Sequence, residues 1–145
     1  MGTIRRVLLV FLVLMPGVPA ARAGGPIVAV FEMEDKGSGL GGKVLTNLTD
    51  YLGVLLTKGG YRVVPRTEIQ ERIKDQKKRS YDSCYDQKCQ IELGRELAAE
   101  KTLATWILKI GDSCQVTATL YDLKKATTEL ASAQEAVCEE GSLLQ

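Results

Sequence analysis

The chain has 145 residues, of which 45% are hydrophobic, 26% charged and 6% aromatic. That composition excludes a disordered or collagen-like chain, and the length suits one domain. A formal charge of +1 leaves no electrostatic footprint for DNA, RNA or an anionic membrane, and the lack of histidine removes the commonest general base and metal ligand together.

Residues 1–23 fall into three parts. Arg5 and Arg6 give a positive start, Val7 to Met15 are uninterruptedly apolar, and Pro16, Gly17 and Pro19 break the helix before the small-x-small site Ala21-Arg22-Ala23. This is the layout of a cleavable secretory signal. A membrane anchor needs roughly 20 apolar residues, far more than this run holds. Cleavage after Ala23 is therefore expected, leaving residues 24–145 as a single periplasmic domain without membrane insertion. Losing Arg5, Arg6 and Arg22 takes 19 basic residues to 16 against 18 acidic ones. No cysteine precedes Cys84, so a lipid-modified amino terminus is not expected.

In chain order, Pro26 to Met33 is a β-branched, apolar run that reads as a buried strand. The glycine-rich loop Gly37 to Gly42 follows. Leu40, Val44, Leu45, Leu48, Leu52, Leu55 and Leu56 then recur at helical spacing, and Gly59-Gly60 offers a left-handed cap. Tyr61 to Val64 is a short strand stopped by Pro65. Thr67 with Gln70 has the capping-box pattern, opening a helix that carries Ile69 and Ile73 inward. Asp86 is a plausible N-cap for a third helix bearing Ile91, Leu93, Gly94, Leu97 and Ala98. From Thr102 the period changes to two, and Leu103–Ile110, Cys114–Leu123 and Thr128–Val137 read as three successive strands, with Gly111-Asp112 as a tight turn. The expected fold is a two-layer α/β sandwich of order β-α-β-α-α-β-β-β, its mixed sheet ending in an antiparallel meander.

Export into an oxidising compartment makes disulfides the expected state of the four cysteines, which allow three pairings. A turn centred near Ala126 would set Cys114 opposite Cys138, at a separation slightly wide of a relaxed disulfide. Cys84 and Cys89 are then left to close a small loop at the start of the third helix.

Few residues invite chemistry. Gly37, Gly39 and Gly42 satisfy G-x-G-x-x-G between a strand and a helix, and with Lys43 fit the front of a phosphate-binding loop. Against this, Val44 stands where a hydroxyl would bind magnesium, and Pro65-Arg66 offers no acid for a ribose. A plain connection is the simpler reading, with a small anion or nucleotide site at Gly37, Gly39, Gly42 and Lys43 as the alternative. Cys84-x4-Cys89 is longer than the usual redox spacing, so a structural staple outranks thiol exchange or metal binding. Glu32, Glu34 and Asp35, and Asp82 with Asp86, read as loop solvation and helix caps. Trp106 is the sole tryptophan; core packing is its default role and a binding anchor its alternative. No catalytic residue, cofactor or metal is expected.

The order of pieces along the chain resembles the small envelope α/β domain of the CsgG-like proteins and the amino-terminal domain of TolB, closest to the stand-alone myxobacterial type. The matching residues are Val28-Ala29-Val30-Phe31, Gly60-Tyr61-Arg62-Val63-Val64-Pro65-Arg66, Cys84-x4-Cys89-x4-Gly94-x2-Leu97-x-Ala99 and Thr119-Leu120-Tyr121-Asp122. Thr105-Trp106 and Lys124-Lys125-Ala126-Thr127 depart from it where relatives often carry glycine. The resemblance implies a non-catalytic envelope protein that works by binding another envelope protein. Strand addition to the last strand, around Ala131 and Ala133, is the expected docking mode.

Overall fold

The computed structural model describes residues 24–77 and 84–144. The leader expected over residues 1–23 and the acid at position 82 lie outside them. Among the described residues a mixed sheet of six strands carries four helices. The strands are β1 (Ile27–Val30), β2 (Glu34–Lys36), β3 (Arg62–Val63), β4 (Lys101–Ile110), β5 (Ser113–Asp122) and β6 (Thr127–Val137); the helices are α1 (Gly42–Lys58), α2 (Arg66–Lys77), α3 (Gln87–Glu96) and α4 (Glu140–Leu143). The sheet order is β3-β1-β4-β5-β6, with β1 parallel to both neighbours and β4, β5 and β6 forming the antiparallel meander. This is the expected α/β sandwich with β2 and α4 added, and with helices on both faces at its parallel end where two layers were expected.

The first strand is shorter than its apolar run. It ends at Val30, and β2 resumes along the same edge of β4, pairing Glu34 with Trp106. Between them Met33 takes its N–H out of the ladder, donating to the α1 hydroxyl Thr49 Oγ1 at 3.0 Å. The side chains of Phe31 and Met33 are nonetheless fully buried, which is why the run looked continuous.

Alternation along the strands separates two apolar layers. Val28, Val30 and Leu103 pack with Leu52 and Leu56 of α1, and Ile107 packs with Leu45 and Leu48. On the other face Ala29 and Phe31 meet Leu93 of α3, its C-cap Leu97 and Ile69 of α2. Helices thus flank both faces at the parallel end of the sheet. At the β6 end the described helices lie on one face only, where Leu143 and Leu144 pack with Cys138.

Local capping follows backbone chemistry, with one departure. Gly60 takes φ +89° at the end of α1, and Tyr61 and Gly60 donate to the carbonyls of Leu56 and Thr57. That is the left-handed cap expected of Gly59-Gly60. Asp86 caps α3, its Oδ1 accepting from the Cys89 N–H at 2.9 Å. The Thr67 capping box does not form. Helix α2 already begins at Arg66, the Pro65 carbonyl accepts from Glu68, and Thr67 sits inside the first turn. The leucine stripe of α1 is also narrower than its spacing implied: Leu55 is 43% exposed and Leu40 precedes the helix.

Candidate functional site

The outer strand β6 is the feature of the fold with most unspent bonding capacity. Among the described residues it pairs with β5 on one side only, and nearly every one of its 11 residues is exposed. Leu130 is 63% and Val137 56% exposed. An edge of this length presents a row of free N–H and C=O groups, which proteins commonly blunt with prolines, lysines or inward charges. β6 contains no proline and no lysine.

Both ends of the strand are pinned. At the start, Asp122 Oδ1 accepts from the N–H groups of Lys125 at 2.8 Å and Lys124 at 3.0 Å, and Ala126 adopts φ +56° to complete the turn. Those backbone donors, chiefly Lys125, hold the Asp122 carboxyl below its ordinary range. A bulge opposite Leu120 and Tyr121 inserts Glu129, which reaches the Lys101 ammonium; that hydrogen bond raises the Lys101 pKa. Lys101 also stands 3.8 Å from Asp122.

At the far end, Cys138 is bonded to Cys114, their α-carbons 5.0 Å apart. The pairing is the expected one, but its geometry is not. The four-residue turn and the bulge set Cys114 opposite Ala136, and Cys138 reaches back from beyond the strand end. Cys84 and Cys89 form the second disulfide, which packs into the α3 layer.

Three residues singled out from sequence come together on one face. Trp106, Thr117 and Ala133 form one cross-strand row, and Ala104, Thr119 and Ala131 the next. Trp106 is half-buried rather than a core residue, and a cleft lined by Gln87 and Gln90 of α3 opens beside it. The Lys36 ammonium lies 4.7 Å from the centre of its ring, a cation–π contact. Beyond it Leu108 and Ile110 are exposed on the same face. A cleft of about 550 Å³ opens beside Trp106, lined also by Tyr85, Tyr121, Glu34 and Gln87.

The glycine loop is a separate place, and its Ser38 and Leu40 amides are engaged internally. Asp35 Oδ1 accepts from the Ser38 N–H at 2.6 Å, and Ser38 Oγ accepts from the Leu40 N–H at 3.1 Å. Gly37 and Gly39 take φ +87° and +75°, so they serve the turn. Gly42 begins α1 and Lys43 lies exposed in its first turn. An anion there would meet the Asp35 carboxylate.

Sequence reading missed a cluster centred on Arg66. Its guanidinium donates to Asp50 Oδ1 at 2.6 Å, the Thr46 carbonyl at 3.3 Å and Glu32 Oε2, while the Thr46 hydroxyl donates to Glu32 Oε1 at 2.8 Å. It sits at the carboxyl ends of the parallel strands β1 and β3, where the crossovers leave on opposite faces and α/β sheets commonly bind ligands. Here one cation faces two carboxylates, so the crevice is latched. Leu130 and Val137 were missed as well; the only sequence hint was Glu129-Leu130, where alternation slips by one residue.

No protein-family model and no curated protein matches the chain. Solved structures do. The carboxy-terminal domain of LpoB from Salmonella enterica superposes with a TM-score of 0.66 at 15% identity, over 81% of this chain and 87% of that one. Lipoprotein GNA1162 from Neisseria meningitidis gives 0.60 at 12% identity, covering 78% and 81%. The Escherichia coli LpoB carboxy-terminal domain gives 0.58 at 12%, covering 83% and 86%. The chain shares the LpoB-like fold. At these identities the likeness concerns the fold alone. Among the described residues no helix is long and apolar enough to cross a membrane.

Proposed function

We propose that this chain is a non-catalytic protein-interaction module of the bacterial cell envelope, and that it docks another envelope protein by strand addition to β6. The observation that carries the reading is the edge itself: 11 residues exposed along nearly their whole length, held straight by the Asp122 turn at one end and the Cys114–Cys138 bond at the other. Pinning matters because ordering a loose strand opposes binding. A partner strand would gain main-chain hydrogen bonds from the edge, while Ala131, Ala133 and the Trp106 face would supply side-chain selectivity.

Export through the 1–23 leader to the periplasm belongs to the same proposal, as does kinship with the CsgG-like proteins, the TolB domain and the myxobacterial type. The two disulfides support an oxidising location.

The test is crosslinking in the native envelope with a tagged chain, followed by mass spectrometry. One dominant envelope partner, lost on Ala133→Pro with the fold intact, is the expected result. Unchanged capture by Ala133→Pro would remove the edge from the account.

A further inference from the structure

We infer that the partner of β6 is a second copy of this chain, the two strands running antiparallel about a two-fold axis at Ser132. This rests on the reading of β6 as a docking edge and adds the identity of the occupant.

Charge selects this occupant. The two ends of β6 carry opposite signs. Lys124 and Lys125 sit in the hairpin that starts it, and Glu135, Glu139 and Glu140 cluster where it ends, with Asp112 in the neighbouring turn. A strand with a basic start and an acidic finish is complementary to itself when reversed, and a two-fold interface requires self-complementarity of this kind. Backbone pairing fixes the choices further. Opposed residues in an antiparallel ladder either both direct their N–H and C=O groups to the shared side or both direct them away, so an axis can only pass through a residue and not between two.

With the axis at Ser132, Leu130 faces Gln134 and Ala131 faces Ala133, and the bulge at Glu129 ends the regular ladder beyond them. The hairpin lysines then reach the opposite acidic end, Lys125 towards Glu139 and Lys124 towards Glu140. One like-charge pair results, Glu129 against Glu135, and Glu129 is already neutralised by Lys101. Both copies keep the same face up, so the rows of Trp106 and Ala133 continue across the axis. The arrangement closes on itself, because each copy spends its one long edge; the opposite edge, β3, has two residues.

The full chain, expressed from its own start codon, should elute with twice the mass of one chain in light-scattering chromatography, and dissociate as salt rises. Lys124→Glu/Lys125→Glu and Glu139→Lys/Glu140→Lys should each be monomeric alone and dimerise when mixed, because only the mixed pair restores opposite charges at both ends. Amide exchange across Ala131–Gln134 in the unmodified protein should slow as concentration rises, a readout independent of the variants. A unmodified chain that stays monomeric, or a dimer indifferent to charge reversal, would overturn self-pairing. A monomer that still captures an envelope partner through β6 would overturn it while leaving the docking reading intact; capture unaffected by Ala133→Pro would sink both.

Discussion

Gly94 on α3 lies so close to Thr102 on β4 that a β-carbon added to it would stand 2.3 Å from the Thr102 γ-carbon and 3.0 Å from Leu123 Cδ1. The glycine is what lets the helix rest directly on the sheet. Intrinsic propensity alone would make Gly94→Ala stabilising by about 1 kcal/mol. We expect the reverse, a net loss of about 1–3 kcal/mol from overpacking. Urea denaturation of the two proteins decides between the signs.

A second position predicts a gain. Ala98 follows α3 at φ +53°, donating to the Arg95 carbonyl while Ala99 donates to Gly94. That is the cap conformation glycine favours, held here by a residue with a β-carbon. Ala98→Gly should stabilise the fold by about 0.5–1 kcal/mol after the added freedom of the unfolded chain is allowed for. A lower denaturation midpoint would contradict the cap assignment.

Asp122 predicts a pH dependence. Its carboxyl is depressed by the Lys125 and Lys124 backbone donors and by Lys101 and Lys125 nearby. A depressed carboxyl stabilises fully above its unfolded value, about 3.9. That contribution is lost as pH falls through the lower folded value. Asp122→Asn keeps an acceptor for the turn but does not titrate. The stability difference between the two proteins should therefore be constant at neutral pH and shrink below about pH 4. A difference that persists unchanged into acid would mean the charge has no role.

The Arg66 latch predicts coupling. Arg66→Lys keeps the charge but loses the planar fork that reaches Glu32 and Asp50 together. A double-mutant cycle of Arg66→Lys with Glu32→Gln should show an interaction of about 1 kcal/mol. Strict additivity would show that the contacts do not act as a unit.

How much of this was legible in the sequence depended on whether the signal was local. The meander could be read within one or two residues because two-residue alternation and the Gly111-Asp112 turn are written in consecutive positions. Asp86 was legible as a cap for the same reason. Strand β2 was not, since Glu34-Asp35-Lys36 is all charged and becomes a strand only because β4 extends past β1 to receive it. The Thr67 box was a true local pattern overridden by the register that Pro65 and Arg66 impose on the start of α2. The Cys114–Cys138 pair was right by pairing and two residues off by register, because the turn occupies 123–126 rather than centring on Ala126, and the bulge at Glu129 recovers only one residue of that shift. Ala131, Ala133 and Trp106 were each visible singly. Their meeting on one face needed the ladder through Thr117 and Thr119, and the exposure of Leu130 needed knowledge that nothing lies beyond β6 in the sheet.

The most direct test of the account is a photo-crosslinker scan in living cells, placing the reactive side chain at Ala131, Ala133 and Glu135 on β6 and, as controls, at Lys43 and Lys58 on the far helix α1. The account predicts discrete protein adducts from the β6 positions and none from the α1 positions. Adducts confined to α1, or no adduct from any β6 position in folded, correctly located protein, would contradict it.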